Sequence, residues 1–598
     1  MRTYLSLLFL LLFTNIYSQK GLNEKNLDQK LEKLLSQTHA PGFSIAVVKA
    51  DKIIYAKGFG YSNIEQKEKV NENTLFAIGS TTKAFTTALL GIMEEEHGLN
   101  FDDTPRKYLS NLEFYNDELN NKLTIKDLVS HRSGLPRHDF SWYLFPTESK
   151  DSLLARVKYH EPFADLRSTW HYNNFGYLIQ GLITAKLTGK TWEQNIRDRF
   201  FVPLEMSRSN LSIKEMKPMK NISTGYEWKN LDTTVALDYF NIAAISPAGS
   251  INSSAKEMSA WLKIWLNQGK YKGKQVLPEA YIKKAVNPLM LVGPGISDPQ
   301  FADQHLKSYG YAWFVSSYKG HYRLEHGGNI DGFTANIALV PADSLGIIVL
   351  CNQDGSMLPA LARNIMSDEL LDLSKTDWIA YHDNKIEQLR KQLNATKQAQ
   401  NESRVLGAKP SHLLEEFTGK YTHPGYGDFL ISVQNDSLFA QFPVRKYYLN
   451  PWHYDLFKPQ EYKDGKVDTL SGLGVNFNFR TGELGDVESV EVKFEPNLKP
   501  LSFSRAPLQA DVSMDELKTY AGDYELAGGV LKVTVDTKME LYLKIPGQPI
   551  YTLIPLSNTD FGIVGLTGYK VQFNKSGKAI EMHLIQPNGT FTAKKTTK

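Results

Sequence analysis

A single cysteine, Cys351, serves a chain of 598 residues. One thiol excludes an intrachain disulfide and leaves no basis for a cysteine-built metal site. Charge of one sign is also missing: 68 Lys and Arg stand against 65 Asp and Glu, a formal net charge of +3. No basic block stands out, so the balance gives no reason to expect nucleic acid as a partner. There is no H-E-x-x-H, and His131 and His138 stand apart as scattered histidines. No Walker-type glycine-rich loop occurs either. Neither a metal nor a cofactor is expected. Past the N-terminus, no apolar run reaches the roughly 20 residues that a bilayer span needs.

The N-terminus itself is apolar. Met1-Arg2-Thr3-Tyr4 leads into Leu5 through Phe13, and Asn15-Ile16-Tyr17-Ser18 supplies a small residue before Gln19. This is the pattern of a secretory signal peptide over residues 1–18, cleaved after Ser18. The run is too short for a membrane anchor. A periplasmic or secreted location is expected, with no integral membrane segment after cleavage. Without disulfides, stability after export must come from the core, which a chain of this length can supply.

Apolar strands Gly42–Val48 and Ile53–Phe59 flank a polar turn at Ala50-Asp51-Lys52 and predict a hairpin. A mostly helical stretch follows, from about Asp102 to Gly269. Strand patterns return at Tyr311–Val315, Gly332–Val340 and the run ending in Cys351, a small core residue there. Strands at both ends of a helical insertion suggest one sheet built from distant segments. Between Trp378 and Pro410, Ile386, Leu389 and Leu393 form a thin apolar stripe in a polar helix, as suits a linker. Beyond it come short alternating strands with Gly and Pro turns, the pattern of small barrels. A repeat runs through this tail. Leu414, Phe417, Gly419 and Tyr421 match Leu517, Tyr520, Gly522 and Tyr524, each displaced by 103 positions.

The chemistry begins at Ser80-Thr81-Thr82-Lys83. The apolar residues Ala84, Phe85, Ala88, Leu89, Ile92 and Met93 that follow recur at helical spacing, and Gly98 marks the end. Residues i and i+3 share a helix face, so Ser80 and Lys83 can touch. A serine hydroxyl needs a base to become a nucleophile. Burial and the positive end of the helix dipole both favour a neutral lysine amine. In isolation, an S-x-x-K is more often a helix cap followed by a solvated lysine. Two further segments change that reading. Tyr172-Asn173-Asn174 offers a phenol that a nearby ammonium could turn into a phenolate, the alternative base. The Asn174 amide could bond both Lys83 and a substrate carbonyl. Glu325-His326-Gly327-Gly328-Asn329 puts glycines where another backbone could approach a strand.

Together the three segments resemble the serine β-lactamase and penicillin-binding-protein-like family, in the branch of class C β-lactamases, DD-peptidases, D-aminopeptidases and esterases. Leu128–Pro136 and Pro247–Ser253 resemble that branch too, and the resemblance covers about residues 25–375. It implies an α/β (α+β) fold of the β-lactamase/transpeptidase type: an antiparallel sheet flanked by helices, with a helical insertion. It also implies that Ser80 is acylated, that Lys83 and Tyr172 share the proton traffic, and that Asn174 orients Lys83 and substrate. The backbone N–H groups of Ser80 and Asn329 would form the oxyanion hole, with His326, Gly327 and Gly328 lining the site. The tail resembles the lipocalin-like barrels appended to some D-aminopeptidases, where the loop His423–Gly427 could gate the cleft. The expected domains are a hydrolase over 19–375, a helical linker over 376–409, and barrels over 410–508 and 509–598. One departure matters. Class C β-lactamases usually carry K-T-G where this chain has His326-Gly327-Gly328, so the cation and hydroxyl that help bind a β-lactam carboxylate are missing. The expected activity is an exported serine hydrolase acting through an acyl-enzyme on a small peptide (D-amino-acid or DD-type) or an ester. A β-lactamase, or a non-catalytic acyl-sensing protein of the same fold, are the alternatives.

Overall fold

The computed structural model describes residues 23–293, 303–483, 485–506, 508–564, 566–576, 579–586 and 588–596. The expected signal peptide lies outside the described residues.

The first domain is built on an antiparallel sheet. Its main strands are β1 (Gly42–Lys49), β2 (Lys52–Asn63), β3 (Lys307–Tyr309), β4 (Phe314–Tyr318), β5 (His321–Ile330), β6 (Phe333–Val340) and β7 (Leu345–Cys351). The spatial order is β3-β4-β5-β6-β7-β1-β2, with the short strands Met290–Leu291 and Glu68–Lys69 at the edges. The N-terminal hairpin joins the later strands where β7 pairs with β1, Cys351 opposite Phe43. Helices cover both faces: α1 (Glu24–Gln37), α2 (Thr82–His97), α3 (Phe175–Thr188), α4 (Ala255–Leu266) and α5 (Leu358–Leu370). Strand alternation assigns each face its layer. Leu345, Ile347, Val349 and Cys351 pack with α1 and α5, whereas Ile348 and Leu350 pack with α2, α3 and α4. Burial raises the Cys351 thiol to about 12, so it stays protonated and serves as core.

The expected strand over Tyr311–Val315 is displaced. Gly310 donates to the Trp313 carbonyl at 2.8 Å and Ala312 has φ +63°, so residues 310–313 form the turn between β3 and β4. Tyr311 and Trp313 are buried all the same, which is why alternation alone read them as strand. The Glu325–Asn329 segment lies within β5, so its glycines sit on a strand as expected.

Two closed barrels follow helix α6 (Trp378–Glu402), on which Leu389 and Leu393 remain exposed. In the first, strands between Gly419 and Ala506 form a ring, closed where Lys446–His453 pairs with Leu456–Lys463. The second is an eight-stranded ring over Gly522–Lys595. Aromatic side chains fill both interiors: Phe417, Tyr421, Phe429 and Phe503 in one, Tyr520, Tyr524, Phe561 and Phe573 in the other. The repeat has a physical meaning. Tyr421 donates to the Phe417 carbonyl at 2.8 Å, and Tyr524 donates to the Tyr520 carbonyl at 2.8 Å, the same buried bond at the start of each barrel. Among the described residues, no helix is long and apolar enough to cross a membrane.

Candidate active site

Ser80 sits on a short 3-10 turn, Gly79–Thr81, that runs directly into α2. Gly79 has φ +51°, a conformation that favours glycine. Helix α2 is buried on all sides from Thr82 to Met93 and ends at Gly98, φ +66°, in a left-handed cap. Lys83 therefore has nowhere to reach solvent: its relative exposure is 0%.

Three oxygens surround its amine. Lys83 Nζ lies 2.7 Å from Asn174 Oδ1, 2.7 Å from the Ala248 carbonyl and 3.0 Å from Ser80 Oγ. Asn174 Oδ1 and the carbonyl can only accept, so they take two N–H bonds. A neutral amine has two hydrogens and one lone pair, which leaves that lone pair aimed at the Ser80 hydroxyl. Burial pushes the Lys83 ammonium well below the ordinary lysine range; Asp139 pulls it back up and Arg137 adds to the lowering.

Tyr172 packs beside this pair, with Lys83 Nζ 4.8 Å from its ring centroid. Burial raises its phenol above the ordinary tyrosine range, and its hydrogen bond with Ser80 lowers it by less. It remains a neutral hydroxyl. His131, from the Leu128–Pro136 stretch, lies tilted against the Tyr172 ring with centroids 4.3 Å apart, and its Nδ1 accepts from the Asn173 backbone N–H at 3.1 Å. The loop carrying His131 is anchored by Asp127, which pairs with Arg132 at 2.7 Å and Arg167 at 2.9 Å.

Strand β5 forms the opposite wall. Strand β4 pairs with it only as far as Glu325, while β6 pairs with it through Ile330. The stretch His326–Ile330 thus has one edge free of β4. A Cβ on Gly328 would lie 2.0 Å from the Ile78 carbonyl and 3.2 Å from Ser80 N; one on Gly79 would lie 2.8 Å from Asn329 N. The amides of Ser80 and Asn329 therefore line a gap that tolerates no side chain. Gly327 is different: a Cβ there would meet only the Ala335 carbonyl, at 3.8 Å. Asn329 is fixed by its own amide, which donates to Asp354 at 3.0 Å and accepts from Thr334 at 2.9 Å. His326 is buried. Its Nδ1 faces the Gly327 carbonyl at 2.6 Å and its Nε2 the Tyr309 phenol at 2.9 Å. Burial, with the Lys83 charge next, lowers it to about 3, so it is a neutral ring. A carbonyl can only accept, which puts the proton on Nδ1 and makes Tyr309 the donor to Nε2.

The structure thus brings Ser80, Lys83, Tyr172, Asn174 and the 326–329 strand into one cleft. It gives Asn174 a partner that the sequence did not suggest: its amide nitrogen donates to Asp139 at 2.8 Å. Asp139, Arg137, His131, Tyr309, Asp354 and the Ala248 carbonyl were all missed. His131 and Ala248 lie in the Leu128–Pro136 and Pro247–Ser253 stretches, whose resemblance to the family assigned neither residue a role. The loop His423–Gly427 packs on the first domain: Tyr426 is buried with its hydroxyl 2.7 Å from His138 Nδ1. Among the described residues, no group of three or more His, Cys, Asp or Glu is placed to hold a metal.

A family profile described as Beta-lactamase matches residues 27–369, and one described as a domain of unknown function (DUF3471) matches residues 403–505. The chain belongs to the Beta-lactamase family. It is similar to the Unguisins hydrolase ungD' of Aspergillus campestris, 28% identical over 68% of this chain and 78% of that protein. It is also similar to Protein flp of Staphylococcus aureus strain MW2, 26% identical over 57% of this chain and 66% of that protein. Among solved structures, the octameric penicillin-binding protein homologue from Pyrococcus abyssi superposes with a TM-score of 0.53 at 20% identity, over 80% of this chain and all of the other.

Proposed function

We propose that this protein is an exported serine hydrolase that works through an acyl-enzyme on Ser80, with a peptide (D-amino-acid or DD-type) or an ester as acyl donor. The carrying observation is the buried Lys83 amine, whose two hydrogens are taken by Asn174 and Ala248 and whose lone pair faces Ser80 Oγ. In this reading Lys83 takes the Ser80 proton as Oγ bonds to the substrate carbonyl carbon. The carbonyl electron pair moves onto oxygen, which the Ser80 and Asn329 N–H groups hold; such donors are worth about 3–4 kcal/mol each. As the oxyanion collapses, the amine or alkoxide leaves with the proton, passed from Lys83 through the neutral Tyr172 phenol. Water then attacks the ester by the same steps in reverse and releases the acid.

Lys83, not Tyr172, is the base in this scheme, because burial favours the neutral form of each: an amine that accepts and a phenol that donates. The neutral His326 supports a peptide or ester over a β-lactam, since β5 offers no fixed cation there for a β-lactam carboxylate. The Aspergillus relative, described as a hydrolase of unguisins, is consistent with hydrolysis by this chain. Turnover of D-amino-acid anilides, short acyl esters and a cephalosporin by wild type and Ser80→Ala tests the reading. Ser80-dependent hydrolysis of an anilide or ester, faster than of the cephalosporin, is expected. No Ser80-dependent turnover of any of them would refute it, and a preference for the cephalosporin would restore the β-lactamase alternative.

A further inference from the structure

We propose that Glu495, a side chain of the first β-barrel, is a positioning residue of the Ser80 site, so that the barrel is part of the catalytic apparatus. The inference rests on the reading that Ser80 is acylated.

Glu495 follows the barrel strand Val487–Val492 and reaches into the hydrolase domain. Its Oε1 accepts from the His138 amide at 2.6 Å and its Oε2 from the Arg137 amide at 3.3 Å. The same Oε2 lies 3.5 Å from His171 Nε2. One carboxylate thus accepts from two backbone amides of one segment and lies beside the His171 side chain of another. The first ends in Asp139, which accepts from the Asn174 amide at 2.8 Å and from Arg137 Nε at 2.8 Å. The second, His171, leads directly into Tyr172. Between them, the Arg137 guanidinium lies 5.1 Å from the Tyr172 ring centroid. The groups that set the charge around Lys83 and the orientation of Asn174 and Tyr172 are therefore held from the barrel side.

The carboxylate is built in. Its side chain is only 15% exposed. Burial alone would raise its carboxyl; His171 and the two backbone amides outweigh that and hold it below the ordinary range. The seam around it is equally fixed. Phe145, from the loop that follows Asp139, is buried in the barrel core, 5.3 Å from Phe442 and 6.0 Å from Tyr426 between ring centroids. Tyr143, at the end of the helical turn Phe140–Tyr143, receives a bond from Arg445 of the barrel at 2.7 Å and donates to Asp331, just beyond β5, at 2.8 Å. Buried donors left without an acceptor are costly, so losing Glu495 should release the 137–139 segment and not leave it in place.

Glu495 touches no reacting atom, so its loss should slow chemistry more than it weakens binding. The test is the rate of Ser80 modification by a fluorophosphonate as a function of probe concentration, in the full chain, with thermal unfolding measured alongside. Glu495→Ala should lower the limiting rate about tenfold or more, with the half-saturating concentration changed less than about threefold. Glu495→Gln keeps one acceptor oxygen and should recover most of the rate. A wild-type limiting rate in Glu495→Ala, with or without a lower melting temperature, overturns the inference and leaves the reading of Ser80 intact. If Glu495→Ala does not fold, Glu495→Asp decides: its carboxylate is withdrawn by one methylene, a slowed limiting rate supports the inference and an unchanged one overturns it. Failure of the wild-type protein to label at Ser80 overturns both.

Discussion

Replacing Lys83 by Met tests the proton account at its source. The two side chains have similar length and volume, so packing around α2 is largely kept. What goes is the base. General-base catalysis contributes about 10²- to 10⁴-fold, or about 3–5 kcal/mol of barrier. Acylation of Ser80 by an activated ester should slow by that factor. Stability should change less. Asn174 Oδ1 and the Ala248 carbonyl each lose a donor, which costs about 1–3 kcal/mol per buried group. Against this, removing the amine relieves a burial penalty whose size depends on pH. The native amine has a lowered pKa, so below about pH 10 the unfolded chain binds more protons than the native one. Wild-type stability from this residue therefore rises with pH, and Lys83→Met should close its stability deficit as pH falls from 10 toward 7. The acylation rate of wild type should climb with pH through the lowered Lys83 pKa, and this limb should vanish in the variant. Stopped-flow acylation and thermal melts across pH 6–10 measure both. Acylation by Lys83→Met within about fivefold of wild type, with the limb intact, would refute the assignment of Lys83 as the base.

Three other outcomes follow from particular contacts. Gly328→Ala should abolish turnover and lower stability by about 1–3 kcal/mol, because its Cβ meets the Ile78 carbonyl, whereas Gly327→Ala should leave melting unchanged and alter only KM. Burial, with Asp331 next, raises the Asp354 carboxyl to about 6. As pH falls through 6 the carboxylate that accepts from Asn329 is protonated, so turnover should fall while native stability rises toward pH 4, and Asp354→Asn should remove that acid limb from the pH–rate profile. Phe145→Ala should cost about 3–5 kcal/mol and make the first barrel more sensitive to limited proteolysis, since the ring is buried in the barrel core.

The parts of the site legible in the sequence were those carried by side chains at short spacing. Ser80 and Lys83 share a turn, and Tyr172 and Asn174 flank one residue at the head of α3, so their types alone pointed to chemistry. The glycines of 326–329 were legible as a close approach, although what they approach, Ile78 and Ser80, was not. Backbone partners have no residue signature: nothing in Ala248 announces that its carbonyl holds an amine. Asp139 and Glu495 act across folds of the chain, and Glu495 comes from another domain altogether. The turn at 310–313 was hidden because both of its aromatic side chains, Tyr311 and Trp313, are buried, so burial mimicked strand alternation. In the tail the reverse holds. A glycine and a tyrosine two residues apart mark the first strand of each barrel because that tyrosine bonds back four residues in both.

Peptide mapping by mass spectrometry after brief reaction with an activated acyl ester locates the nucleophile. One acyl adduct is expected on the peptide containing Ser80, formed in wild type, slowed in Lys83→Met and absent in Ser80→Ala. An adduct on another residue, or acyl transfer that survives Ser80→Ala, would contradict Ser80 as that nucleophile.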